Sequence, residues 1–273
     1  MIRVALRITY QGSAFDSYAR TPGRRTVEGA LLDALRKEGL VEGSFRTGSR
    51  TDAGVSAFEN VLLAELERPH LRGLAPALQA NLPEGAWVTA AALAPEGFDP
   101  RRASWRQYRY LAPQSGESLA AMQAAAKHFL GTHHMAAFAR LEAGRDPHRT
   151  VLACDVANTD GLWRLTVRGQ SFLWGQVRRM ASAILAIGAG HAEPDEIARA
   201  LSTGTAHARF GVAPSEGLVL ERVHYEALAW DPEAGGVELR RAQWGRVEAE
   251  VRRDVARHIE GLGIKQTAPA EQE

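Results

Sequence analysis

The sequence predicts an α+β protein made of two similar domains. Three observations carry that expectation: short alternating apolar runs of strand type, amphipathic helical stripes that interrupt them, and the same mixture appearing twice along 273 residues. A chain of this length holds one large domain or two ordinary ones, and 45% hydrophobic residues are enough to bury a core. The expected boundaries are 1–113 for the first domain, 114–231 for the second, and 232–273 for a charged helical appendage ending in a tail.

In the first batch, Ile2, Val4, Leu6, Ile8 and Tyr10 alternate with Arg3, Arg7 and Thr9, the pattern of a half-buried strand. Thr26-Val27-Glu28 opens a helix with Val27, Leu31, Leu32 and Leu35 on one face. Strands are expected over 61–66, 87–93 and 107–112, with a short helix over 74–80 stopped at Leu82-Pro83. The second batch starts with an Ala-rich helix over 118–130, ended by Gly131. Strands over 151–158 and 162–169 flank Thr159-Asp160-Gly161, a hairpin signal. A helix over 174–187 carries Val177, Met180, Ile184 and Ile187 on one stripe, Pro194 opens another, and 218–225 is a last strand. His133-His134 reads as a turn, 237–259 as a charged solvated or interface helix, and 266–273 has the composition of a disordered tail.

Composition narrows the function classes. No segment approaches a membrane span, and the charged N-terminal residues form no apolar signal core. Cys154 is the single cysteine, which excludes a disulfide framework and a Cys-based zinc site; its default role is a small buried hydrophobe. The expectation is a soluble cytoplasmic protein. Net charge is only +1, yet the cations are 30 Arg against 3 Lys. Arginine suits phosphate forks and base stacking.

The densest chemistry lies in Ser49-Arg50-Thr51-Asp52-Ala53-Gly54-Val55-Ser56-Ala57. An arginine fixes a polyanion or a base, and a carboxylate beside it stays ionised and can attack. A plain ion pair in a turn is the bland alternative. Competing chemistries lack their motifs: there is no Walker loop, no Gly-x-Gly-x-x-Gly, no His-Glu-x-x-His and no Gly-x-Ser-x-Gly. His128, His133, His134 and His148 have no metal-ligand spacing, and nothing ties Asp146 or Asp155 to Asp52. No metal and no cofactor are expected.

Arg50-Thr51-Asp52-Ala53-Gly54-Val55 resembles the catalytic loop of the tRNA pseudouridine synthase A family. Further matches follow in order: Ile8 to Ser13, Asn81-Leu82-Pro83, Phe98 to Ser104 leading to Tyr108-Arg109-Tyr110, Phe172 to Met180, and Glu216-Gly217-Leu218. The resemblance spans roughly residues 2 to 226. It implies mixed, mainly antiparallel sheets in two domains that face each other across an RNA-binding cleft. It also implies isomerisation of uridine to pseudouridine in the anticodon stem-loop of tRNA, at positions 38–40, by a homodimer. Asp52 would be the nucleophile, Arg178 its guanidinium partner, and Tyr108 the aromatic that stacks on the flipped base. Arg50 would enter the stem, and Arg149 and Leu218 would face RNA. Burial alone raises a carboxyl pKa, and a paired guanidinium opposes that.

Departures from the family pattern fall around these residues. Ser49 stands for a usual Gly, Ser56 for a common His and Gln11 for an Asp; residues 16–22 lack the family's stretch, and Asp99-Pro100-Arg101 replaces a typical His-Ala-Arg. They bear on RNA positioning more than on chemistry. Two other readings stay open: a non-catalytic RNA-binding protein of the same fold, and a metal-free hydrolase acting on an N-glycosidic bond.

Overall fold

A computed structural model describes residues 1–68, 70–206, 210–231 and 237–261. The chain forms two compact units. The first comprises 1–106 with 219–250, the second 107–218 with the described residues from 251 on. The first cut thus lies seven residues ahead of residue 113, the expected boundary, and residues 219–231 join the first unit.

The first unit is organised on β1 (Ile2–Tyr10). It pairs antiparallel with β3 (Ser56–Leu66) on one side and with β4 (Ala86–Leu93) on the other. The two-residue β2 (Arg46–Thr47) joins β3, and β9 (Leu218–His224) pairs with β3 in parallel at Ser56↔Val219 and Ala57↔Leu220. β3 is buried along nearly its whole length, so it is covered on both faces. It starts five residues before the apolar run that predicts it, because Ser56, Glu59 and Asn60 are polar strand residues buried against partners.

α1 (Val27–Lys37) begins where its cap predicts: the Thr26 hydroxyl accepts from the Gly29 N–H at 3.1 Å. Its inner face is Val27, Leu31, Ala34 and Leu35, while the expected Leu32 is half-exposed. α2 (Leu74–Gln79) ends just before Asn81-Leu82-Pro83. α6 (Val237–Gly261) packs on this unit through Gln243 and Val247, both buried, and through Trp244, which stacks on Phe58 at 5.3 Å.

The second unit sets β5 (Trp105–Pro113), β8 (Leu162–Gly169), β7 (His148–Thr159) and β6 (Gly131–His134) side by side in that order. β7 and β8 form the expected hairpin. Asp160 and Gly161 both have positive φ, 49° and 76°, as a tight two-residue turn requires. His133-His134 is strand, not turn: these residues pair with Arg149 and His148 across β6–β7. Arg149 therefore lies inside a strand rather than before one. α3 (Leu119–Lys127) and α4 (Gln176–Gly188) pack together, α3 also covers β7, and α5 (Asp195–Thr203) follows Pro194. Residues 266–273 lie outside the described residues. The α+β class with mainly antiparallel pairing is as the sequence predicts.

Candidate active site

The loop bearing Asp52 hangs between β2 and β3, and its backbone is held from behind by buried polar groups. Gly48 N–H donates to the Val61 carbonyl at 2.8 Å. Asn60, fully buried in β3, donates through Nδ2 to the Ser49 carbonyl at 2.7 Å. Arg106, 7% exposed, donates through Nε to the Ser49 hydroxyl at 3.0 Å, and through Nη2 to the Gly48 and Arg101 carbonyls at 3.2 and 2.8 Å. Tyr10 and Thr51 share a hydroxyl–hydroxyl bond of 2.9 Å, and Tyr18 and Thr47 share another. Tyr225 donates to the Pro100 carbonyl just behind Gly48.

The front of the loop closes in a turn in which Val55 N–H donates to the Asp52 carbonyl at 3.2 Å, with Gly54 at φ 82°. Gly12, from the loop after β1, lies so close that a Cβ there would overlap the Gly54 carbonyl and the Val55 backbone. Gly12 N–H also donates to the Ser56 hydroxyl at 2.9 Å. Ser56 thus has a structural use: it ties the first loop to the Asp52 loop. The Asp52 carboxylate sits at a half-exposed position on this frame.

Arg50 is exposed and reaches Glu28 at 3.4 Å. Glu28 also accepts from the Arg20 N–H at 2.8 Å, so the unusual 16–22 stretch is linked to Arg50 through one α1 carboxylate. A pair with one side chain this exposed is weak and salt-sensitive, and leaves Arg50 able to exchange partners.

The remaining expected residues belong to the second unit. Tyr108, on β5, is buried with its ring edge-on to Phe172 at 5.3 Å. Tyr110, two residues on, is buried too, and burial pushes its hydroxyl pKa up, with Glu216 adding to the rise and Arg178 opposing it. Arg178 is the third residue of α4 and is half-buried. Its Nε donates to the Ala213 carbonyl at 2.7 Å, and Ala213 N–H returns a bond to the Arg178 carbonyl at 3.2 Å. Leu218, at the start of β9, is buried. Arg149 folds back on its own segment, donating to the carbonyls of Asp146 and His148. Desolvation pushes its pKa down, and the nearby Arg145 acts in the same direction.

Sequence reasoning passed over Asn60, and it grouped Arg106 with Arg101, Arg102 and Arg109 as arginines interleaved with Phe98, Trp105 and Tyr108 for RNA contact; the structure instead buries Arg106 against Ser49. The available signal was a lone Asn inside a run of strand hydrophobes. Among the described residues no group of three or more His, Cys, Asp or Glu is placed to hold a metal ion, and no helix is long and apolar enough to cross a membrane.

Residues 125–226 match the family model described as tRNA pseudouridine synthase. A tRNA pseudouridine synthase A of Thermococcus kodakarensis is 40% identical over 243 residues, covering 87% of this chain and 90% of that protein. The protein of the same name in Methanocorpusculum labreanum is 41% identical over 224 residues, covering 80% and 78%. That of Methanothrix thermoacetophila is 36% identical over 233 residues, covering 84% and 86%. Identity at this level over most of both chains shows that this chain belongs to the tRNA pseudouridine synthase A family.

Proposed function

We propose that this protein isomerises uridine to pseudouridine in tRNA with Asp52 as the nucleophile. Family membership supports the reaction and its substrate. The observation that carries the role of Asp52 is its setting: a half-exposed carboxylate on a loop held by Asn60 at the Ser49 carbonyl, Arg106 at the Ser49 hydroxyl and Tyr10 at the Thr51 hydroxyl. Fixed geometry is what a nucleophile needs, because misplacement by a fraction of an ångström lowers rate steeply.

The reaction breaks the N1–C1′ bond of the uridine, turns the base and joins C5 to C1′. The C5 proton leaves and N1 gains one, so atoms balance without an oxidant or a transferred group. No metal or organic cofactor takes part. Asp52 attacks the substrate and is released when the new bond forms. Tyr108 packs against the extruded base, Arg178 supplies a fixed positive charge to the reacting groups, and Arg50, Arg149 and Leu218 contact the RNA. The target is the 3′ side of the anticodon stem-loop, positions 38–40. The enzyme works in the cytoplasm as a homodimer; symmetry repeats a local basic surface that a net charge of +1 does not advertise.

The test is pseudouridine mapping on tRNA treated with wild type and with Asp52→Asn. Wild type should convert one or more anticodon-arm uridines. The variant should bind tRNA within about threefold of wild type, yet lose more than the 10²–10⁴-fold range of general acid–base effects. Asp52→Asn turnover within about tenfold of wild type removes Asp52 as nucleophile. Release of free uracil would instead make the protein a hydrolase.

A further inference from the structure

The second unit carries an exposed aromatic–cation pair to which no role is assigned. Trp174 is 47% exposed, and the Arg140 guanidinium lies over its indole at 4.2 Å. The two residues also pair through the backbone, with Arg140 N–H donating to the Trp174 carbonyl at 2.9 Å. Arg140 is itself exposed. The carboxylate nearest to it in sequence, Glu142, is paired with Arg145 at 3.3 Å.

Single exposed hydrophobes are ordinary on protein surfaces. This one is held in place. Leu173, next to it, is buried, and its N–H donates to Oε1 of Gln176 at 2.9 Å. Gln176 is fully buried at the start of α4. On the other side, Gly175 has φ 69°, and a Cβ there would come within 2.6 Å of Arg179 Nη1. The segment is thus pinned before and after Trp174, with guanidinium groups over the indole and against the following glycine. Four residues on from Trp174 is Arg178.

We infer that Trp174 and Arg140 form a stacking platform for an unpaired base of the tRNA, with Arg140 also meeting the adjacent phosphate. A guanidinium lying over one face of the indole offers its own outer face to a base and carries charge for the backbone, and the exposed part of the indole adds a π-surface that any base can meet. Pre-fixing the aromatic removes the ordering cost of binding. The platform rests on the reading of tRNA as substrate, and it adds the residues that grip a base other than the reacting one.

The test uses full-length enzyme and a set of tRNAs, each with one abasic residue in the anticodon arm. Wild-type pseudouridine formation on intact tRNA is measured first; its absence would overturn the proposed function rather than the platform. Trp174→Ala should raise KM and Kd for intact tRNA by about 5- to 100-fold, the range of one base–aromatic stack, with kcat within about threefold of wild type. Trp174→Phe should recover most of the loss. Arg140→Gln should weaken binding about 3- to 10-fold and reduce the salt dependence by about one ion. For one abasic tRNA, wild type should bind as weakly as Trp174→Ala does, so that the variant shows no further penalty. A Trp174→Ala penalty of the same size on every abasic tRNA, or none on intact tRNA, overturns the platform. If Trp174→Ala lowers the thermal midpoint, Trp174→Gln and Arg140→Gln carry the same comparison.

Discussion

Arg106 and Ser49 are joined by a 3.0 Å bond from the guanidinium Nε to the serine hydroxyl, with both residues buried. They lie 57 positions apart in sequence, and the bond ties the second residue of the Asp52 loop to the start of β5. The serine that stands where the family pattern usually has glycine is therefore an acceptor for a buried cation.

Ser49→Ala tests this relationship. Taking one acceptor from a buried guanidinium costs about 1–3 kcal/mol, so the urea midpoint should fall. Turnover should fall with it, because the Asp52 loop loses a fixed point, while tRNA affinity should stay close to wild type. Unchanged stability together with unchanged turnover would show that the Gly48 and Arg101 carbonyls hold Arg106 by themselves.

Gly12→Ala tests the other side of the loop. The added methyl overlaps the Gly54 carbonyl, so either the first loop or the Asp52 turn must move. Forcing atoms into packed space costs about 1–3 kcal/mol, and the shift falls on the residues flanking the carboxylate. Gly43 is the control: its φ is 76°, and a Cβ there meets nothing within 4 Å. Gly43→Ala should cost about 1–2 kcal/mol for the left-handed conformation alone and keep wild-type kcat. Equal kcat in the two variants would mean that the Gly12 contact is not transmitted to the site.

Stability should decline on the alkaline side. Burial pushes the Cys154 thiol up, with Asp155 adding to the effect. Burial likewise pushes up the hydroxyls of Tyr18, Tyr110 and Tyr225. The folded state keeps these protons where the unfolded chain releases them, at about pH 8.5 for the thiol and about pH 10 for tyrosine. Their contribution is complete below those values and is lost as pH rises toward the folded pKa, at about 1.4 kcal/mol per pH unit for each group. Urea unfolding at intervals from about pH 7.5 to 10.5 should show the decline start near the thiol value in wild type and nearer the tyrosine value in Cys154→Ala. Identical profiles would remove the thiol from the account.

Local chemistry made much of this legible in the sequence. Thr26 caps α1, Asp160-Gly161 turns the β7–β8 hairpin, and Arg50 to Val55 marks the Asp52 loop, each within a few residues of the group it serves. Long-range pairing was not legible. His133-His134 has no apolar alternation, and only β7 beside it makes it a strand. Asn60 looks like a polar interruption, and Arg106 like one of several arginines interleaved with aromatics, until the fold brings Ser49 to both. The start of β3 was missed for the same reason, since Ser56, Glu59 and Asn60 are strand residues whose partners come from other elements.

Arg178 is the last test, and it separates catalysis from RNA contact. Its Nε is engaged by the Ala213 carbonyl at 2.7 Å, which fixes the plane of the guanidinium at the start of α4. Lysine keeps the charge but lacks the fork, so one ammonium cannot hold Ala213 and also present charge in the same direction. If the charge serves the chemical step, Arg178→Lys should lower the single-turnover rate by about 10- to 100-fold or more, on the scale of a misplaced catalytic group. Arg178→Ala should lower it further. Affinity for tRNA should stay within about threefold, and its salt dependence should keep the wild-type slope, because no phosphate contact is lost. A phosphate-binding arginine gives the opposite result: a near-normal single-turnover rate at saturation, weaker binding, and a salt slope reduced by about one. Measuring rate and affinity for both variants at two salt concentrations decides between them, and the second outcome would remove Arg178 from the catalytic group.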